Sequence, residues 1–172
     1  MDAIKNLTER RSIRAYSQRP IEEDVLAEIL RAGTYAPTGM NRQSPIIIAV
    51  TNKDMRDRLS RLNAAVMGTD KDPFYGAPVV LIVLANRAVP TYIYDGSLVM
   101  GNLMNAAHAK GVGSCWIHRA KEVFDSPEGK EILASLGIEG DYEGIGNCIL
   151  GYAEGEYPPA RERKADYIYR VK

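Results

Sequence analysis

Strand-like and helix-like segments alternate along this chain, and by pattern alone that predicts an α/β domain built on a parallel sheet. Three observations carry the prediction. Short apolar runs rich in β-branched residues recur at Pro45–Thr51, Pro78–Ala85, Val112–Ile117 and Ile145–Tyr152. Amphipathic stretches with helical spacing lie between and before them. The 172 residues are 45% apolar and 26% charged, the proportions of a single globular domain. A chain this long buries roughly 70% of its extended surface on folding, enough for a core without staples.

The elements follow in order. Asp2 caps a first helix, with Ile4 and Leu7 expected to face inward and a basic run at its end. Pro20 punctuates the chain. Ile21–Ala32 places Val25, Leu26, Ile29 and Leu30 on one helical face, with acids in the first turn and Gly33 as a left-handed cap. Tyr35–Ser44 has loop composition, and Pro45–Thr51 is a buried strand. Asn52 or Lys53 opens a helix that runs to about Val66. Gly68–Gly76, polar and broken, is expected to be a mobile loop before the strand Pro78–Ala85.

Asp95–Lys110 is the longest helical stretch. Apolar residues nearly surround it, so it is a core helix. Its small residues (Gly101, Ala106, Ala107) admit a second backbone, such as a twin helix from another subunit. Ser126 and Pro127 start a further helix as cap and first residue, and Gly137 stops it. No internal repeat or domain boundary appears, so residues 1–172 are expected to form a single domain. From Ala153 the tail carries Pro158, Pro159 and Arg161-Glu162-Arg163-Lys164, then ends in a Tyr167-Ile168-Tyr169 run. It is too polar and proline-rich to fold alone and is expected to cross the surface of the body or of a partner.

Composition excludes several function classes. Lys+Arg and Asp+Glu both number 22, so the net charge is zero and a nucleic-acid partner is not expected. Zero net charge gives little colloidal repulsion, which suits an oligomer. The two cysteines, Cys115 and Cys148, sit in strand-like segments and read as buried thiols of a cytoplasmic protein. Neither CxxC nor Cys/His spacing suggests a metal site. Met1–Thr8 lacks the apolar stretch of a signal peptide, and no apolar run reaches the roughly 18 residues that span a bilayer. There is no nucleophile elbow, HExxH or paired-acid constellation. Gly111–Gly113 precedes a strand rather than opening a helix, so it is not a dinucleotide fingerprint.

The basic clusters are the informative residues. Arg10-Arg11-Ser12-Ile13-Arg14 sets planar guanidiniums beside a hydroxyl, the groups a buried phosphate dianion requires. A second basic run near the C-terminus suggests a single nucleotide-like cofactor held by both ends of the chain. Taken alone, Arg10, Arg11 and Arg14 also fit a solvated basic turn. His118 and Trp116 alone fit ordinary core or surface roles, and His108 reads as structural near a helix C-terminus.

Five motifs in order change that balance: Arg-Arg-Ser-Ile-Arg (10–14), Ala-Pro-Thr-Gly-Met-Asn-Arg-Gln (36–43), Gly-Ala-Pro-Val-Val-Leu (76–81), Gly-Val-Gly-Ser-Cys-Trp-Ile (111–117) and the basic tail. Together they resemble the FMN-dependent nitroreductase family over nearly the whole chain. The resemblance implies an α+β fold in three layers, with a mostly antiparallel central sheet flanked by helices. It implies an intertwined homodimer in which the C-terminal segment, about 153–172 here, extends onto the partner subunit. It further implies FMN at the dimer interface, NAD(P)H as electron donor, and ping-pong reduction of a small-molecule acceptor such as a nitroaromatic or quinone.

By the same resemblance, Arg10 and Ser12, with Arg11 beside them, contact the phosphate and ribityl chain, and Arg161 and Arg163 complete the phosphate clamp. Arg14 faces the N1/O2 edge, where a fixed cation favours the reduced flavin. Pro37, Thr38, Gly39, Asn41 and Gln43 form the loop given by the opposite subunit. Trp116, Ile117 and His118 lie along the ring, with a backbone N–H, that of His118, at N5. No side chain is implied as catalytic, because the cofactor does the chemistry.

The chain departs from the family pattern in three places. Pro45 follows Gln43 one residue late. Only Asn86–Tyr94 stands where a longer insertion usually shapes the entrance, leaving the pocket either open or covered by Gly68–Tyr75. His118-Arg119 replaces an acidic–glycine pair, which favours acidic substrates or NADPH. Two other readings stay open: different flavin chemistry on the same fold (dehalogenation, ring oxidation, FMN fragmentation), or a non-catalytic flavin-binding sensor dimer.

Overall fold

The computed structural model describes residues 2–172. Its centre is a four-stranded sheet of order β1-β2-β4-β3, formed by β1 (Pro45–Val50), β2 (Val79–Asn86), β3 (Gly113–Ile117) and β4 (Tyr142–Gly151). Every pairing is antiparallel, which corrects the parallel sheet that pattern alone predicts. The reason lies in β2. It is covered on both faces, so it carries the continuous apolar run usual for a parallel strand. Its direction is set instead by the chain path: Val80 pairs with Val50, so β2 starts beside the end of β1.

Side chains alternate across β2 and build two cores. Val80, Ile82 and Leu84 face Leu59, Phe124 and Ile132. These come from α3 (Lys53–Met67), α5 (Ala120–Asp125) and α6 (Pro127–Ser135). Val79, Leu81 and Val83 face Leu26, Ile29, Met100 and Leu103, from α2 (Glu23–Thr34) and α4 (Tyr92–Ala109). The result is an α+β sandwich with the sheet as its middle layer. Cys115 and Cys148 are both buried and free, on opposite sides of the sheet, and burial pushes the Cys148 thiol up to about 12. Among the described residues, no helix is long and apolar enough to cross a membrane.

Local sequence explains three of the six α-helix starts among the described residues. Asp2 accepts from Lys5 N at the start of α1 (Ala3–Glu9), Asn52 accepts from Met55 N, and Ser126 accepts from Gly129 N ahead of Pro127. Three expectations fail. Gly33 is not a cap but lies inside α2, where its missing side chain lets Leu103 and Ile47 approach. The helix expected from Asp95 begins three residues earlier, at Tyr92. Ile4 and Leu7 face outward, 68% and 57% exposed, because α1 touches the body chiefly through α4, where Asn6 Nδ2 donates to the Asn105 carbonyl at 2.9 Å.

The 68–76 loop, expected to be mobile, is tied to the body. Asp72 accepts from Ser60 Oγ (2.6 Å), Phe74 N (2.9 Å) and Gly76 N (2.7 Å), and pairs with Arg56. Phe74 is 1% exposed. Burial raises the Asp72 pKa, but the bonds from Arg56, Ser60, Gly76 and Phe74 outweigh it and the net shift is downward. A depressed carboxylate pKa gives stability that is complete above the ordinary carboxylate range and is lost as pH falls below about 4. Asp72→Asn should therefore cost about 1 kcal/mol at neutral pH, a modest value because the side chain is 35% exposed and screened. It should also flatten the acid side of the Tm profile, which thermal melts between pH 3 and 7 would read.

Candidate functional site

Residues 10–14 leave α1 as an extended segment alongside β3. Ile13 N donates to the Ser114 carbonyl at 2.9 Å, Ser12 and Ser114 form a parallel bridge, and Tyr16 Oη donates to the Ile13 carbonyl at 2.7 Å. Ile13 is buried, so Ser12 and Arg14 are turned the other way. Arg11 Nη1 donates to the carbonyls of Thr8 and Arg10, both at 2.8 Å. Among the described residues, Arg10 Nη1, Arg11 Nε and Ser114 Oγ are buried and have no protein partner. Buried donors are almost always satisfied, so these unpaired ones suit an anion. His108 of α4 adjoins it with Nε2 also unpaired. Burial, then the Arg10 charge, holds its pKa below the ordinary value, with Arg11 adding and Glu9 opposing.

The same segment leads into a cavity of about 260 Å³ lined by Arg14, Lys71, Tyr75, Trp116, Ile117 and His118. The Arg14 guanidinium stands 6.0 Å from the centre of the Tyr75 ring. Of the two alternatives for the entrance, the Gly68–Tyr75 segment does wall this cavity. Trp116 and His118 project to one side of β3, their ring centres 6.1 Å apart. The indole lies over Gly146 of β4, where a Cβ would come within 2.5 Å of Nε1, so only glycine fits beneath it. That Nε1 is buried and unpaired as well.

Two asparagines hold the end of β3. Asn63 Nδ2 donates to the His118 carbonyl at 2.8 Å, and Asn147 Nδ2 donates to the Ile117 and His118 carbonyls at 3.3 Å. Arg119 Nε donates to Asn63 Oδ1 at 3.1 Å and fixes that amide. Arg119 takes a left-handed backbone, φ 73°, in a place where the family pattern has glycine. Sequence reasoning missed Asn63, Asn147, Lys71 and Tyr75. An amide in the middle of the apolar strand Ile145–Tyr152 was the one available signal.

Pro37, Thr38, Gly39, Asn41 and Gln43 do not line this cavity. They sit at the start of α4, where Thr38 and Gln43 border a separate apolar hollow of about 560 Å³ beside Leu30, Ile46 and Ile47. Asn41 and Gln43 are exposed. Arg161 and Arg163 are also exposed, and among the described residues neither bonds to the body of the protein. The tail leaves through a bridge between Tyr16 and Ala153 and passes the anion corner, with the Tyr157 ring 6.0 Å from that of His108. One protomer thus assembles Arg10, Arg11, Ser12, Arg14 and Trp116–His118, and leaves 37–43, Arg161 and Arg163 out of that group.

Comparison with known proteins bears on this arrangement. A sequence profile described as the Nitroreductase family matches residues 7–71. A crystal structure of a nitroreductase with bound FMN from Bacteroides fragilis superposes with a TM-score of 0.91 at 30% identity, covering all of both chains. The chain belongs to the nitroreductase family. Relatives of this nitroreductase-family chain include a protein of Archaeoglobus fulgidus, provisionally named an NADH dehydrogenase/NAD(P)H nitroreductase, 29% identical over 99% of this chain and 98% of its own length. A protein of the same provisional name from Methanothermobacter thermautotrophicus is 28% identical over 67% of this chain, which spans 60% of that relative's length. Membership confirms the antiparallel three-layer α+β fold that the five motifs imply.

Proposed function

We infer that this chain is an FMN-dependent oxidoreductase that takes electrons from NAD(P)H and reduces nitroaromatics, quinones or similarly electron-poor acceptors. The observation that carries it is the set of buried, unpaired donors Arg10 Nη1, Arg11 Nε and Ser114 Oγ, next to a cavity that holds Arg14 and Trp116. These residues fit FMN: a phosphate monoester of about two negative charges needs several charge-assisted donors, and a flat ring needs an apolar slot with a cation at one edge. FMN, when bound, supplies a ring that accepts hydride from the nicotinamide and hands electrons to the acceptor.

The protein's part is binding, orientation and electrostatics. Arg10, Arg11 and Ser12 hold the phosphate end, joined by Arg161 and Arg163 of the tail. Arg14 supplies positive charge at the N1/O2 edge and so favours the reduced form. Asn63 and Asn147 fix the strand end that offers backbone N–H groups to the ring. Pro37, Thr38, Gly39, Asn41 and Gln43 serve the site of the partner in a homodimer.

Exposed apolar surface supports that dimer. Ile4, Leu7, Tyr94 and Leu98 are 68%, 57%, 71% and 47% exposed, and the Gly101 position on α4 faces open space. Among the described residues, the outer edge of β1 has no neighbouring strand, and residues 154–172 are exposed throughout. Buried free thiols suit a cytoplasmic setting.

The purified protein should be yellow, bleach under anaerobic NAD(P)H and recolour when a nitroaromatic is added. Colourless protein that cannot take up FMN overturns the proposal. Arg14→Ala should keep FMN but slow its reduction about tenfold or more in stopped-flow bleaching, with a lower midpoint potential. An unchanged rate and potential would remove Arg14 from this role.

A further inference from the structure

The loop that bears Asn41 and Gln43 is held by a single buried carboxylate. Asp95, in the first turn of α4, is 2% exposed, and among the described residues no lysine or arginine pairs with it. Its Oδ1 accepts from Gly39 N at 2.9 Å. Its Oδ2 accepts from Ser44 Oγ at 3.0 Å and from Thr91 Oγ1 at 2.9 Å. Asp95 therefore grips both ends of the 39–44 segment. Gln43 N closes the loop on Thr38 Oγ1 at 3.1 Å. A Cβ on Gly39 would collide with Thr91, so that position must be glycine for the loop to reach the carboxylate.

Between the two grips the backbone is strained. Met40, Asn41 and Gln43 take φ of 53°, 54° and 49°, left-handed values that non-glycine residues hold only when their surroundings impose them. What this strain presents is outward: Met40 is 86% exposed, and the exposed Asn41 and Gln43 amides bond each other at 3.2 Å. A buried carboxyl group needs partners for its oxygens, and the donors to Asp95 come from the 39–44 segment and from Thr91. We propose that Asp95 is a positioning residue for flavin binding that acts in trans, holding the 39–44 loop of its own subunit in the shape that completes the flavin site of the partner. The inference rests on the proposed FMN site at the dimer seam.

Asp95→Ala leaves Gly39 N, Ser44 and Thr91 without their acceptor and should raise the Kd for FMN and for riboflavin by the same factor, about tenfold or more. Asp95→Asn should restore binding to within about threefold, because its oxygen still accepts from Gly39 and the two hydroxyls rotate to accept from its amide. Gly39→Ala displaces the loop without touching the carboxylate and should reproduce the Asp95→Ala loss, even if Asp95→Ala folds poorly. The deciding measurement is complementation. Heterodimers of an Asp95→Ala protomer with an Arg10→Ala protomer, isolated with two tags, should bind about one FMN per dimer with the parent's affinity, since one of the two symmetric sites draws both parts from unaltered residues.

Heterodimers without a restored site, or Asp95→Ala that lowers Tm with unchanged flavin Kd, would overturn the role of Asp95. Failure of the unaltered protein to bind FMN would instead overturn the proposed cofactor itself.

Discussion

Replacing Arg10 with alanine should raise the Kd for FMN by about 10- to 100-fold and leave the Kd for riboflavin unchanged. The two ligands differ by the phosphate alone, so the comparison isolates the anion corner. A hydrogen bond to a charged group is worth about 1.5–3 kcal/mol, and each 1.4 kcal/mol is a factor of ten in Kd. Arg10 offers a buried Nη1 that the protein leaves unpaired, and Arg11 Nε and Ser114 Oγ are in the same condition. Among the described residues these three buried donors have no partner, which is a poor arrangement for stability and a good one for a phosphate.

Arg10→Lys should fall between parent and alanine, since lysine keeps the charge and loses the planar fork. His108 adds a second signature. Its depressed pKa comes from burial and from the Arg10 charge, so Arg10→Ala should move the His108 titration upward in NMR. Equal losses for both flavins, or none, would show that Arg10 does not serve the phosphate.

What the sequence made legible follows from how local each signal is. Helix starts were readable because a cap and the N–H it satisfies lie within three residues, as at Asp2, Asn52 and Ser126. The buried strands were readable from their β-branched runs. Strand direction was not, because β2 is sheathed on both faces and its apolar run is the same in either sense. The six-residue α5 was missed for its brevity, since Ala120–Asp125 offers little periodicity to detect.

The outward face of α1 misled for another reason. Ile4 and Leu7 do have helical spacing, but amphipathic spacing shows that a face wants cover without saying what provides it. The site divides the same way. Arg10–Arg14 and Trp116–His118 lie on neighbouring segments and meet within a protomer, whereas the clamps, Asn63 with Arg119 at the end of β3 and Asp95 with Ser44 at the 39–44 loop, join residues more than fifty positions apart. No window of sequence contains such a pair.

Ending the chain before Arg161 should weaken the dimer and FMN binding together. Within its own protomer the segment contributes little: residues 154–172 are exposed, and Tyr167, Ile168 and Tyr169 are 69%, 74% and 82% exposed. A monomer would lose almost nothing on removal of such a tail, so any large loss reports on what the tail does elsewhere. Burying a large apolar side chain is worth about 1.5–3 kcal/mol, so withdrawing this run from a partner should raise the dimer dissociation constant by at least about 100-fold. Sedimentation over a concentration series reads the first effect and flavin fluorescence the second. The double variant Arg161→Ala/Arg163→Ala in the full-length chain separates the two roles of the tail, because it should lower FMN affinity, spare riboflavin and leave the dimer intact. A truncated chain that dimerises and binds FMN as tightly as the parent would show that the tail stays with its own subunit and that the phosphate is held by Arg10, Arg11 and Ser12 alone.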